Sequence, residues 1–320
     1  MSKRLSCVAL FAGVALAGSP LLAQEQTEAP PRDLKRIFAD QPGRGEKGGT
    51  YVEVRPSAEF NFETGLHNGG DFSVTRGGVA LKTEFWPERF LNFSLDASYE
   101  YSHYDFDNFL DETGVPEPLD DARRITLRPG ARMMFSRDWL VFAGGMIESS
   151  GDVDADLEDT LIGAGFLGAR YRVNDELAVR FGISAVSSIE EDLSFAPIIS
   201  FKWTPQPDWT LELTGAQGGG ILQLTHDLTD QWNLGLGAKF QSRDYRLADD
   251  AAIPEGVLRD DRISLEAQAT YSPTGYIDLT AAAGAVLFNE ITVENSNGNE
   301  LREDEVDPTP FVGLRAKIRF

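Results

Sequence analysis

One cysteine, Cys7, and three histidines, His67, His103 and His226, are all the cysteine and histidine in this sequence. No paired-histidine or paired-cysteine spacing exists, which argues against zinc chemistry, and with Cys7 near the extreme N-terminus mature disulfides and thiol catalysis are excluded. No stretch after the first twenty residues approaches the roughly 18 uninterrupted apolar residues that a membrane helix needs. Basic residues are also scarce, 29 Lys and Arg against 51 Asp and Glu for a net charge of -22. A nucleic-acid partner, which demands a basic footprint, is therefore not expected.

What is present begins with Met1–Ala23: a basic start (Lys3, Arg4), an apolar stretch from Leu5 to Ala17 and small residues before Gln24, the layout of a cleaved signal peptide. Residues 24–49 are polar and rich in Pro and Gly, and read as a periplasmic N-terminal extension, flexible or a partial plug.

From Tyr51 onward apolar and polar residues alternate with period two, and turn residues punctuate the runs. Fourteen strands are predicted, near 50–63, 72–86, 90–105, 122–136, 139–148, 160–173, 177–189, 194–204, 209–217, 220–226, 232–246, 261–272, 276–289 and 308–320; four weaker ones leave twelve or sixteen open. In the third, Leu91, Phe93, Leu95, Ala97, Tyr99 and Tyr101 alternate with Asn92, Ser94, Asp96, Ser98, Glu100 and Ser102. Such strands cross a bilayer with only half their residues apolar, so 42% hydrophobic content is enough. The connections alternate in length, with short turns at 87–89, 137–138, 174–176, 205–208, 227–231 and 273–275 and mostly longer loops between. Trp86, Trp139, Trp203, Trp209 and Trp232 all lie beside short turns, where interfacial aromatics would form a girdle. A second girdle is expected from Phe62, Tyr99, Tyr101, Tyr104, Tyr245 and Phe288.

The chain ends on Val312, Leu314, Ala316, Ile318 and Phe320 facing one way, with Arg315, Lys317 and Arg319 facing the other. This ending, the leader and the alternating strands resemble bacterial outer-membrane β-barrel proteins, whose C-terminal phenylalanine acts as an insertion signal; Leu314, Ile318 and Phe320 would carry it. Ser242–Leu247 and Asp260–Leu265 are further similar to members of that class with no assigned substrate. The resemblance implies an all-β fold, a closed antiparallel transmembrane β-barrel over 50–320, in the outer membrane with both termini periplasmic. Implied partners are outer-membrane lipid and lipopolysaccharide, periplasmic chaperones and the barrel-assembly machinery. A transporter-sized plug and a peptidoglycan-binding domain are not expected.

Parity then assigns the interior, because Arg or Lys on the lipid face costs about 2–4 kcal/mol near the midplane. Arg124, Arg128 and Arg132 form a ladder in steps of roughly 13 Å along strand four. Asp96, Glu100, Arg170, Arg180, Lys239, Arg243, Glu53, Glu59, Arg315 and Lys317 are expected to line the same lumen. A circular ring of fourteen strands would be roughly 28 Å across, leaving a lumen around 10–15 Å wide.

Acidic residues crowd 105–121, 148–159 and 290–307, read as long loops. Asp152, Asp154 and Asp156 resemble half of a calcium loop, but Leu157 stands where glycine is required, so they are weak metal candidates. His103 beside Ser102 suggests a hydrolase only superficially, since adjacent strand residues point to opposite faces. No cofactor is implied. The expected function is a porin-like passive channel for small hydrophilic solutes with a mixed-charge, arginine-lined lumen and no enzymatic role. The alternatives are a non-conducting structural or adhesive barrel and, third, an outer-membrane hydrolase.

Overall fold

The computed structural model describes residues 47–109, 117–188, 191–216 and 219–320. The expected leader and nearly all of the 24–49 extension lie outside the described residues. The strands are β1 (Gly49–Gly65), β2 (Asp71–Glu88), β3 (Leu91–Asp107), β4 (Asp121–Met134), β5 (Trp139–Asp152), β6 (Leu161–Arg172), β7 (Leu177–Ser188), β8 (Glu191–Gln206), β9 (Trp209–Ala216), β10 (Gly219–Asp227), β11 (Trp232–Arg246), β12 (Val257–Thr274), β13 (Ile277–Glu294), β14 (Glu300–Val306) and β15 (Thr309–Arg319). Each strand from β1 to β13 pairs antiparallel with the next, β13 pairs with β15, and β15 returns to β1. The result is a closed, all-β antiparallel barrel of fourteen staves, as the alternation predicts.

The additional strand, β14, corrects the reading of 290–307 as a loop. β13 runs on to Glu294, and β14 pairs with its far half while β15 pairs with its near half. Leu301, Glu303 and Glu305 face outward while Arg302, Asp304 and Val306 are buried. The density of acids hid a strand whose period-two pattern is intact.

Side-chain parity sets the wall's two faces. Val79, Leu81, Phe93, Leu95, Leu127, Ile147, Leu167, Ile183, Leu236, Leu265 and Leu314 belong to an exposed apolar belt, and their strand neighbours turn polar groups inward. A soluble monomer does not expose apolar surface on that scale. At one end of the barrel the turns are short, two residues at 89–90, 207–208 and 275–276 and four at 135–138, 173–176 and 228–231. Three of them are built alike: Ser136 Oγ, Asn174 Oδ1 and Thr229 Oγ1 each accept two main-chain N–H bonds two and three residues on, the local bonding that favours these residues in turns. The other end carries longer connections, including 108–120, 153–160 and 247–256. Both Gly49 and Arg319 lie at the short-turn end.

The cross-section is not circular. In a round ring β3 and β11 would stand about 27 Å apart. Arg243 Nε nevertheless lies 3.0 Å from Glu100 Oε1, a pair whose side chains reach only about 14 Å between Cα atoms. Nearer the long-loop end, Arg246 of β11 bridges Gly151 of β5 main chain to main chain, and Ser150 Oγ donates to the Asp244 carbonyl at 2.6 Å. The opposite walls touch there, so the expected round lumen is replaced by two lobes in the long-loop half. One lobe is filled by an apolar cluster that includes Phe72, Val74, Tyr104, Phe106, Tyr245, Leu258 and Ile291. The other is bounded by β5 through β11.

Phe320 seals the seam: its N–H donates to the Val52 carbonyl at 2.9 Å, and the Val52 N–H reaches the Phe320 carbonyl at 3.4 Å. Deleting Phe320 should therefore lower the yield of heat-modifiable folded barrel on gels, whereas Lys317→Gln should leave it unchanged. Equal yields for the truncated and full-length chains would contradict this role for the last residue.

Candidate functional site

Inward-facing charges fall into two groups that behave differently. The first is a clamp across the long-loop half. Arg76 on β2 pairs with Asp260 on β12, and Tyr104 OH donates to the same carboxylate at 3.0 Å while accepting from Arg76 Nη2 at 3.0 Å. Arg262 reaches Glu59 on β1 at 2.9 Å and Gln241 on β11, and Arg243–Glu100 adds a link from β11 to β3. Asp260 is fully buried, and Arg76, Arg243 and Arg262 are at most 5% exposed. Charges this deep are offset because each guanidinium meets a carboxylate, with Arg76 Nε and Nη1, Arg243 Nη1 and Asp260 Oδ1 left without a hydrogen bond among the described residues.

Further pairs brace the same arc of wall. Arg55 meets Asp96 at 2.5 Å and Glu53 at 3.3 Å. Lys239 and Arg315 both engage buried Glu266, Arg319 binds Asp278, and Lys317 stands 3.9 Å from Asp278. On β4, Arg124 pairs with Glu148 at 3.1 Å, and Arg132 is held by Glu84 at 2.5 Å and by Asn92. The ladder expected on β4 is thus unequal: its first and third rungs are neutralised, and only Arg128 stands free.

The second group has no such partners. Among the described residues the side chains of Arg128, Arg170, Arg180 and Lys202 make no hydrogen bond or ion pair. They lie in the middle or short-turn half of β4, β6, β7 and β8. Arg170 and Arg180 face each other directly across the β6–β7 ladder, and Lys202 stands opposite Glu212. Glu212 and Arg132 lie within electrostatic reach of Arg180. Like charges in direct cross-strand register are unfavourable unless water or an anion screens them.

Water can supply that screening where the wall leaves Arg128, Arg180 and Lys202 exposed. Its inner face carries two cross-strand rows, Gly130, Gly144, Phe166, Ser184 and Ala196 in one and Phe142, Gly168 and Gly182 in the next. Two aromatic rings lie over this glycine floor. A Cβ at Gly168 would sit 2.4 Å from the Phe142 ring tip, and one at Gly144 would sit 2.3 Å from that of Phe166. Glycine is required here by close approach of a ring, the pairing in which an aromatic covers a bare backbone. The two rings are 6.3 Å apart.

Several expected placements are corrected. Trp86 is only 7% exposed and shares the inner face of β2 with Lys82 and Glu84, so it is not in the outward set with Trp139, Trp203, Trp209 and Trp232. Those four are 37–45% exposed at the short-turn end; Trp139 packs on Tyr171, and Trp232 on Tyr271. Tyr104 and Tyr245, expected in the second girdle, are buried inside. Both sit on the inward parity of their strands, and their proximity to the loops obscured it. Phe62, Tyr99, Tyr101 and Phe288 do face outward. Leu314 and Phe320 are exposed, and Ile318 pairs with Val54.

The metal candidates do not converge: among the described residues no three Asp, Glu or His side chains form a group that could hold an ion. Asp152 instead accepts the Asp154 N–H at 3.0 Å. Its burial raises the carboxyl above the ordinary range, opposed by that bond and reinforced by the charges of Asp154, Asp121 and Asp250. Ser102 and His103 do not form a pair either. Ser102 Oγ turns inward to Tyr245 at 3.3 Å, while His103 turns outward to Asp121 at 2.8 Å.

Breaking the clamp by removing one partner strands a buried charge. Asp260→Ala should lower the unfolding free energy in urea by about 3–5 kcal/mol, while neutralising solvent-exposed Arg128 should change it by less than about 0.5 kcal/mol. Comparable effects of the two substitutions would refute the division into clamped and free charges.

No family model and no curated protein matches the sequence. The fold is similar to solved bacterial outer-membrane barrels. The COG4313 outer membrane channel from Pseudomonas putida F1 is 12% identical, with 88% of this chain and 99% of that one covered and a TM-score of 0.47. The toluene transporter TodX of Pseudomonas putida is 10% identical over 86% and 91% of the two chains, with a TM-score of 0.43. The outer membrane protein Omp33 of Acinetobacter baumannii is 12% identical over 86% and 100%, with a TM-score of 0.41.

Proposed function

We propose that this protein is a bacterial outer-membrane channel through which small hydrophilic solutes diffuse passively, its termini and short turns in the periplasm and its long loops outside. The apolar belt around the barrel supports insertion in a bilayer. Short turns at the end that carries both termini support the orientation. The single observation that carries the channel reading is the set of unpaired inward cations on β4 through β8. A guanidinium or ammonium that meets no carboxylate must keep its hydration, since moving it out of water costs several kcal/mol. That wall therefore faces water, in keeping with the exposure of Arg128, Arg180 and Lys202.

The passage is off-centre in this reading. Solutes enter from the periplasmic side into a vestibule bearing Arg128, Arg170, Arg180 and Lys202, and continue through the lobe bounded by β5 through β11. The clamp and the apolar cluster exclude the other lobe. Fixed positive charge in a narrow wet space draws anions and repels cations, as charge rings do in channels. A purely structural barrel has no use for such charges, and could have filled the wall with ion pairs as the β1–β3 and β11–β15 arc does.

Planar-bilayer recording of the refolded protein tests this. Discrete conductance with chloride favoured over potassium is expected, and Arg128→Gln with Arg180→Gln should lower that preference by at least about threefold. Arg76→Gln should not change selectivity in whatever fraction folds. No conductance from folded protein would overturn the channel reading in favour of a structural barrel.

A further inference from the structure

We infer that the inner wall of β5 through β7 is a binding site for small aromatic monocarboxylates, a class named here on the prior reading that this wall faces a water-filled passage. Two features meet on it. The cationic one is Arg170 opposite Arg180, two guanidinium groups that meet no acid within ion-pair distance among the described residues. Paired forks of this kind match the two oxygens of a carboxylate, and bringing one between them removes the repulsion of like charges in register. Glu212 is the acid nearest by electrostatic reach; it tempers the field but stands across from Lys202.

The apolar feature is Phe142, whose ring lies over Gly168. Gly168 is two residues from Arg170 on one strand and directly opposite Gly182, itself two residues from Arg180. The ring is thus one inner-face row, about 6.7 Å, from the arginine row. A benzoate-sized ion spans that row: its carboxylate reaches the guanidinium pair while its ring stacks on Phe142, with Phe166 bordering the far side. Chloride or acetate can use the charge and not the ring. Apolar contact of one aromatic face adds selectivity that a bare cationic pore lacks.

The experiment uses the refolded full chain in detergent micelles for calorimetric titration, and the same preparation in planar bilayers for block of chloride current, with benzoate and acetate as probes. Benzoate should bind at least about tenfold more tightly than acetate. Arg170→Gln with Arg180→Gln should weaken benzoate by about tenfold or more. Phe142→Leu, which keeps the glycine floor covered, should leave acetate unchanged and reduce the benzoate preference several-fold. Equal affinity for the two acids, or benzoate binding that survives loss of both arginines, would overturn the site. A protein that conducts without discriminating benzoate sinks the site and spares the channel. One that binds benzoate as expected without conducting does the reverse.

Discussion

The Arg76–Asp260 pair, with Tyr104, Arg262, Glu59, Arg243 and Glu100 gathered round it, is the interaction on which the rest of the barrel depends. Fourteen strands close readily into a ring wide enough for an open pore. The ring is not round because these side chains draw β2 and β3 toward β11 and β12. Each pair must offset its own desolvation, and the walls come close enough for guanidinium and carboxylate to meet. Everything above the clamp follows: once the walls approach, inward Phe72, Val74, Tyr104, Phe106, Leu258 and Ile291 meet and exclude water. A transmembrane barrel then acquires something close to the core of a soluble protein.

The same constraint sorts the interior charges. Where the walls are drawn together, nearly every cation finds an acid. Where they remain apart, around Arg128, Arg170, Arg180 and Lys202, cations outnumber acids. The positive character of that stretch of wall is a local imbalance inside a strongly acidic molecule, whose surplus acids are carried mostly on its long-loop end. In the proposed orientation that acidic rim faces outward, and anions that pass it meet a wall of opposite sign.

Much of this was legible in the sequence, because a period of two is enough to tell inside from outside once one face is known to meet lipid. The closure of β15 on β1, the inward turn of Arg124, Arg128, Arg132, Glu53 and Glu59, and the exposed Trp139, Trp203, Trp209 and Trp232 all follow from parity and turn length. Parity also marks Trp86, Tyr104 and Tyr245 as inward; weighting aromatic type above position misassigned them. What alternation cannot contain is contact between strands far apart in the ring. Nothing local in Asp260 announces that it meets Arg76, or that Arg132 is neutralised by Glu84 while Arg128 is not. The β13–β14 hairpin was hidden for another reason, since outward acids beyond the bilayer obey a strand's geometry but not a membrane strand's composition.

The central claim is that one lobe of the barrel is sealed and the other is open, and thiol accessibility tests it most directly. The only native cysteine, Cys7, lies in the expected leader, so a single introduced thiol reports without background. Ala196→Cys on the inner face of β8 and Val74→Cys in the apolar cluster of β2 can each be challenged, in a conducting bilayer, with a charged sulfonate reagent. The account predicts rapid loss of current for Ala196→Cys and none for Val74→Cys. Block at Val74→Cys, with Ala196→Cys unaffected, would place the passage through the lobe that the clamp is said to close.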